Sequence, residues 1–281
     1  MDRPDDFLEV LVHETVAERD LVGLCAGFEL GKWRAPQLAS HLIKWLPEFA
    51  LSYEERETLR AKNAVERIGE AARTVYLTDK YARRGEWGEL LLHVAIRQVY
   101  NTTPAVSRIF FKDAANDTVK GFDCVHALRV GSDLDLWLGE AKLYENGSAA
   151  VAAAAKSVKE HLEGEYLKKE FVAIGRKLSP QDSLSAELQV LLNKNTSLDM
   201  LLPRIVVPVL IAHDSETTAK HSQSNEAYRQ EIIAECRKHR DEFVSATPGV
   251  KLRVHVIIVP LSTKKALLDE LDGRLKALQI L

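Results

Sequence analysis

Two apolar runs near the C-terminal end set the fold class of this chain. Arg204-Ile-Val-Val-Pro-Val-Leu-Ile-Ala-His213 and Lys251-Leu-Arg-Val-His-Val-Ile-Ile-Val-Pro260 are short and rich in β-branched residues, the composition of buried strands. Between them, residues 223–245 are charged and patterned as a helix. A strand–helix–strand unit closes as a crossover between parallel strands. The chain is therefore expected to be α/β, with a mixed, partly parallel sheet and helices on both faces. Pro208 lacks an amide hydrogen, so the strand that carries it is expected at a sheet edge or a bulge. Ser262 is the expected cap of a terminal helix through about residue 278.

A third strand, Asp133-Leu-Asp-Leu-Trp-Leu-Gly-Glu-Ala-Lys-Leu-Tyr144, carries chemistry. Period-two geometry puts Glu140 and Lys142 on the face that also holds Leu134, Leu136 and Leu138. A carboxylate and an amine at the end of an apolar strand face are costly unless they bind something. Nowhere else in the chain does a Lys follow an acid by two positions. Chance alone gives roughly two or three such triplets, so the strand context is what singles this one out. On an exposed sheet edge the two would form an ordinary surface ion pair; the three leucines on their face argue against that.

Upstream, Gly121-Phe-Asp-Cys-Val-His-Ala-Leu-Arg-Val130 reads as a strand with Asp123, Val125, Ala127 and Arg129 on one face. Gly131-Ser132-Asp133 is a tight-turn sequence. A two-residue loop sets Val130 opposite Asp133 and Asp123 opposite Glu140; a bulge or longer loop shifts that register. Ser107–Asp113 is a further strand candidate. Glu86–Tyr100 has Leu91, Leu92, Ala95, Ile96 and Val99 at helical spacing, with Glu86 and Glu89 in the first turn, where the helix dipole favours acids. His93 is read as a histidine on the helix face. Gly147-Ser148 introduces an Ala-rich helix over roughly 149–163, with Lys156 and Lys159 on its solvated face.

The order helix, strand, Asp-bearing strand, Glu-x-Lys strand, helix, strand resembles the PD-(D/E)xK nuclease superfamily, with Phe122 where the signature has Pro. The combination Arg84-Gly-Glu-Trp-Gly-Glu-Leu-Leu91, Gly121-Phe-Asp123 and Leu138-Gly-Glu-Ala-Lys-Leu-Tyr144 is similar to the HamA family, the nuclease subunits of the Hachiman anti-phage defence system. The resemblance covers about residues 80–260 in element order, with its specific motifs in residues 84–145. It implies a restriction-endonuclease-like core with a mixed central sheet flanked by helices. It implies that Asp123 and Glu140 bind a divalent metal, that Lys142 contacts the scissile phosphate or the attacking water, and that Glu89 joins the metal shell with Glu86 in support. It also implies a helicase/ATPase partner of the same defence system, which holds the nuclease until release, and DNA as substrate.

Those residue types suit phosphodiester hydrolysis. A divalent ion acidifies water and acts as a Lewis acid. Mg²⁺, with Mn²⁺ as a substitute, takes hard oxygen ligands such as Asp123, Glu140, Glu89 and the Ala141 carbonyl. Lys142 is a three-donor point charge whose protonated form two neighbouring carboxylates favour, which suits it to positioning phosphate and water rather than to acting as a base.

Composition sets the remaining bounds. The 281 residues allow one large or two modest domains. Cys25, Cys124 and Cys236 are too few and too scattered for a disulfide framework or a cysteine zinc site. No membrane-length apolar run occurs, so a cytoplasmic protein without membrane contact is expected. The chain lacks a P-loop and a Gly-x-Gly-x-x-Gly fingerprint, so no nucleotide cofactor is expected, and ATP-driven work must come from the partner. A net charge of −3 does not suit a freestanding tight DNA binder and fits a nuclease delivered to DNA. Lys80, Arg83 and Arg84 precede the Glu86–Tyr100 helix and are candidate contacts to the phosphate backbone.

Residues 1–78 read as a mainly helical, self-contained region, either a partner-docking module or a helical layer on the core. Phe7–Val16 fits a strand or a helix, and Ser52 is a good helix cap. Residues 79–281 hold the nuclease-like domain. The leading expectation is a metal-dependent DNA endonuclease acting as effector of a helicase-coupled defence complex. The alternative is a catalytically inactive nuclease-fold adaptor that binds a helicase or nucleic acid. A nuclease acting on RNA is a third reading.

Overall fold

The computed structural model describes residues 3–16, 19–75, 85–106 and 121–280. The chain opens with β1 (Glu9–Val16) and β2 (Arg19–Cys25), then a small hairpin of β3 (Phe28–Glu29) and β4 (Lys32–Trp33). Helices α1 (Ala35–Lys44), α2 (Leu46–Ala50), α3 (Tyr53–Glu57) and α4 (Ala64–Val75) follow. Next come α5 (Glu86–Tyr100), β5 (Thr103–Val106), β6 (Cys124–Val130) and β7 (Asp133–Tyr144). Helices α6 (Gly147–His161), α7 (Gly164–Lys177), α8 (Ser185–Leu191) and α9 (Leu198–Leu201) lead to β8 (Ile205–Asp214). The chain closes with α10 (Glu216–Lys220), α11 (Glu226–Ala246), β9 (Arg253–Leu261) and α12 (Lys264–Gln279).

Among the described residues, seven strands form one sheet in the order β1-β2-β9-β8-β7-β6-β5. Strands β2, β9, β8 and β7 run parallel, while β1, β6 and β5 pair antiparallel with their neighbours. This is the mixed α/β architecture expected. One face of the sheet packs against α6, α7 and α11 and the other against α1, α2, α4, α5 and α12. Strand β8 is buried from Ile205 to His213, as a parallel strand covered on both faces must be. None of the described helices is long and apolar enough to cross a membrane.

Three expectations need correction. Among the described residues of 1–78 there are four α-helices, and Ser52 does cap α3 in a reciprocal capping box with Glu55. The region is not self-contained, however: Phe7–Val16 resolves as a strand, and β2 pairs parallel with β9, from Arg19↔Val254 to Gly23↔Ile258. Pro208 lies on a central strand, not at an edge or a bulge. The ladder from β7 pairs Trp137 with Val206 and Glu140 with Val209, skipping Pro208 at constant offset. The residue across from it is Gly139, and a Cβ there would lie 3.4 Å from the Pro208 ring, so the missing side chain makes room for the ring. Thr263, not Ser262, caps α12, its hydroxyl accepting from the Ala266 amide. The strand candidate Ser107–Asp113 falls outside the described residues except for its neighbour β5.

Asp20 ties the N-terminal strands to the rest of the sheet. Its buried carboxylate accepts from Tyr100 Oη of α5 at 2.7 Å and Thr15 Oγ1 of β1 at 2.5 Å. His13 Nε2 lies 2.8 Å from it, and His255 Nδ1 of β9 lies at 2.9 Å. Burial pushes this carboxyl up, but these four partners outweigh it and hold it well below the usual carboxylate range. A depressed pKa contributes stability that is present above the unfolded value, about 4, and is lost as pH falls below it. Asp20→Asn is expected to cost about 2–3 kcal/mol near neutral pH and to flatten the acid limb of the stability curve. Urea titrations at stepped pH check this; an acid limb as steep as in wild type contradicts it.

Candidate active site

The hairpin of β6 and β7 fixes the geometry. Gly131 takes φ +63° at the first turn position, where a II′ hairpin turn places glycine. Val130 pairs with Asp133 and Cys124 with Gly139, so the register is the one a two-residue loop predicts. Just beyond β6, the Asp123 amide donates to the Gly139 carbonyl at 2.7 Å. Asp123 Oδ2 accepts from the Ala141 amide at 2.8 Å. Asp123 is thereby folded across the end of β7, beside the Glu140-Ala141-Lys142 triplet.

Helix α5 delivers Glu89 to the same place from the opposite face of the sheet. A Cβ at Gly88 would sit 3.3 Å from the Leu143 Cβ and 3.7 Å from the Ala141 Cβ, so the first turn of α5 lies directly on β7. Trp87 is buried beside it and donates its indole N–H to Asp272 of α12 at 3.3 Å. Glu89, Asp123, Ala141, Lys142 and Lys264 share the lining of an open pocket of about 590 Å³ at the C-terminal end of β7.

Glu140 stands behind this lining. It is only 3 % exposed and forms an ion pair with the Lys142 ammonium. Its other oxygen lies 3.3 Å from His161 Nδ1 at the end of α6. The His161 ring stacks on Tyr166 and meets Phe122 edge-on, so the ring beside Glu140 is held in place by two aromatic side chains. Burial pushes the Glu140 carboxyl up, but His161 and Lys142 outweigh it and hold it below its ordinary value. Burial pulls the Lys142 ammonium down, while Glu140 and Asp123 hold it above its ordinary value. The pair is therefore fully charged at neutral pH.

A HamA family model matches residues 2–275, nearly the whole chain. The chain belongs to the HamA family. This is a family of components of the Hachiman anti-phage defence system. No curated protein matches the chain. The HamA match takes in β1 and β2 as well as the β6–β7 hairpin, in keeping with a sheet that runs through both.

Of the residues that sequence reasoning singled out in this HamA chain, Asp123, Ala141, Lys142 and Glu89 come together in one pocket. Glu140 reaches it through the Lys142 ion pair. Glu86 is half-buried in the first turn of α5 and does not line the pocket. Arg83 and Arg84, with Lys80, lie outside the described residues. Lys156 is exposed on α6, 3.8 Å from Glu160, as expected of a solvated face. His93 is buried in the core, with its ring nitrogens 3.1 Å from His126 and from Glu48.

His161 and Lys264 were missed. Neither carries a local signature: the α6 and α12 patterns give their helices but not which end meets β7. Asp123 and Glu89 on the pocket lining, with Glu140 behind Lys142, offer the hard carboxylate oxygens that a Mg²⁺-type ion takes. The second Glu140 oxygen, held by His161, would orient the ligating one.

Proposed function

We propose that this HamA chain is a Mg²⁺-dependent DNA endonuclease, the effector of a Hachiman complex in which a helicase partner holds it and brings it to DNA. The observation that carries this reading is the meeting of Asp123, Glu89 and Lys142 in one polar pocket, with buried Glu140 paired to Lys142. That order of residues on a hairpin and a helix also supports placing the chain in the PD-(D/E)xK superfamily. When bound, Mg²⁺ supplies a more acidic water and neutralises charge on the phosphate. Asp123, Glu140 and Glu89 would hold it, with the Ala141 carbonyl. Lys142, protonated, donates to a phosphate oxygen and orients the attacking water. Its charge, close to two carboxylates, gives the pocket a cation where the phosphodiester gains charge in the transition state.

The acidic overall balance makes delivery by a partner the economical route to DNA. Thermal melting with and without Mn²⁺ tests the metal site apart from turnover. Wild type is expected to melt higher with millimolar Mn²⁺, and Asp123→Ala to lose most of that rise. An equal shift in both would remove Asp123 from the site, and no shift in either would favour the inactive adaptor. Co-purification with the helicase, followed by cleavage assays with and without ATP, tests the coupling.

A further inference from the structure

A second cluster of metal-ligand type lies at the C-terminal end of β8, against Gly147 at the start of α6. His213, Glu235 and His239 offer one ligand atom each, all within 4.8 Å of one another, and no other group of three or more such residues among those described meets that distance. His213 is the penultimate residue of β8, and Glu235 and His239 sit one turn apart on the same face of α11. Both histidines are buried, at 2 % and 5 % exposure, and their rings lie edge-on with centroids 4.6 Å apart.

The hydrogen bonds around the cluster fix which ring nitrogens face it. His213 Nδ1 lies 2.9 Å from the Asp214 carbonyl, which can only accept, so Nδ1 carries the proton. His239 Nδ1 lies 3.0 Å from Glu242 Oε2 and is held the same way. In each ring the nitrogen left over is Nε2, with its lone pair. His213 Nε2 is buried, lies 3.5 Å from Glu235 Oε1 and makes no hydrogen bond. The other Glu235 oxygen accepts from Ser215 Oγ at 2.9 Å. Two imidazole lone pairs and a carboxylate oxygen thus face one another at close range, an arrangement that costs free energy until a cation fills it.

We propose that His213, Glu235 and His239 form a metal site of their own, selective for a zinc-type transition ion. Ligands bound to zinc at about 2.1 Å in a tetrahedron stand about 3.4 Å apart, and the His213–Glu235 separation is 3.5 Å. Two imidazoles and one carboxylate suit zinc, whereas the all-oxygen pocket beside Lys142 suits Mg²⁺. The Asp214 carbonyl and Glu242 occupy the outer positions that orient ligating histidines in such sites. Gly147 completes the fit. A Cβ there would come within 2.6 Å of His239 Nε2 and 3.1 Å of His213 Cγ, so only glycine lets the α6 N-terminus close over the cluster. The ion would pin α11 to the end of β8, next to the Glu145-Asn146 rim of the pocket. The site stands or falls independently of the nuclease reading.

The test uses the full chain, stripped with chelator and titrated with Zn²⁺ by calorimetry and with Co²⁺ by visible absorption. Wild type and Asp123→Ala are both expected to take up one equivalent with a tetrahedral Co²⁺ spectrum, and His239→Ala to lose it. Glu242→Ala, at a partly exposed position, is expected to weaken Zn²⁺ binding about 10- to 100-fold. That second variant decides the matter if His239→Ala does not fold. No uptake by folded wild type, or unchanged affinity in Glu242→Ala together with unchanged stoichiometry in any folded His239→Ala, would overturn the site.

Discussion

Lys142→Met is expected to lower Mg²⁺-dependent plasmid cleavage about 100- to 1,000-fold, the usual cost of removing one preorganised donor from a developing negative charge. Methionine keeps the apolar stem and removes the ammonium, so the change is mainly electrostatic. It also leaves the Glu140 carboxylate, 3 % exposed, with the His161 ring 3.3 Å from its other oxygen and no ammonium beside it. A buried charge that loses its partner destabilises the fold, here by about 3 kcal/mol. Cleavage is therefore measured at a temperature where circular dichroism shows the variant folded. Glu140→Gln in the Lys142→Met background removes the stranded charge and is expected to recover stability but not cleavage. Plasmid relaxation at the wild-type rate by folded Lys142→Met would end the assignment of Lys142.

Gly139→Ala is expected to cost about 3 kcal/mol although it adds a single methyl group. The new Cβ would lie 2.3 Å from Cys124 Sγ and 2.7 Å from Leu92 Cδ2, both in the buried core, with the Pro208 ring at 3.4 Å. Three elements, β6, α5 and β8, converge on that one missing side chain. The adjoining residue is Glu140, so a forced shift also misaligns the triplet and lowers cleavage. Cys124→Ala in the same chain removes the closest clash. The double variant should lose less stability than the two single variants added together, a coupling that a double-mutant cycle in urea reads directly. Strict additivity would mean that the packing around Gly139 is not what limits it.

The site was legible in the sequence where local rules decide it. Gly131-Ser132 fixes a two-residue turn, and that turn fixes the register which sets Asp123 beside Glu140. The bounds of α5 followed from apolar spacing, and the Ser52 cap from its chemistry. What escaped were facts settled by distant partners. Strand β2 is a short apolar run whose identity comes from β9, more than two hundred residues away in sequence. Pro208 reads as an edge signal until Gly139 is known to stand across from it. His161 and the His213, Glu235, His239 cluster look like ordinary helix and strand-end histidines, because neither spacing matches a contiguous motif and only tertiary packing gathers them.

The hairpin turn and the pocket stand at opposite ends of β7, about 30 Å apart at the rise of an extended strand. Ser132 is exposed there, while Cys25, Cys124 and Cys236 are all buried. A Ser132→Cys chain thus offers a single reactive thiol at a remote outpost of the strand that carries Glu140 and Lys142. A fluorophore attached to it can test for arrival of the proposed helicase or DNA while Asp123, Glu140 and Lys142 stay untouched.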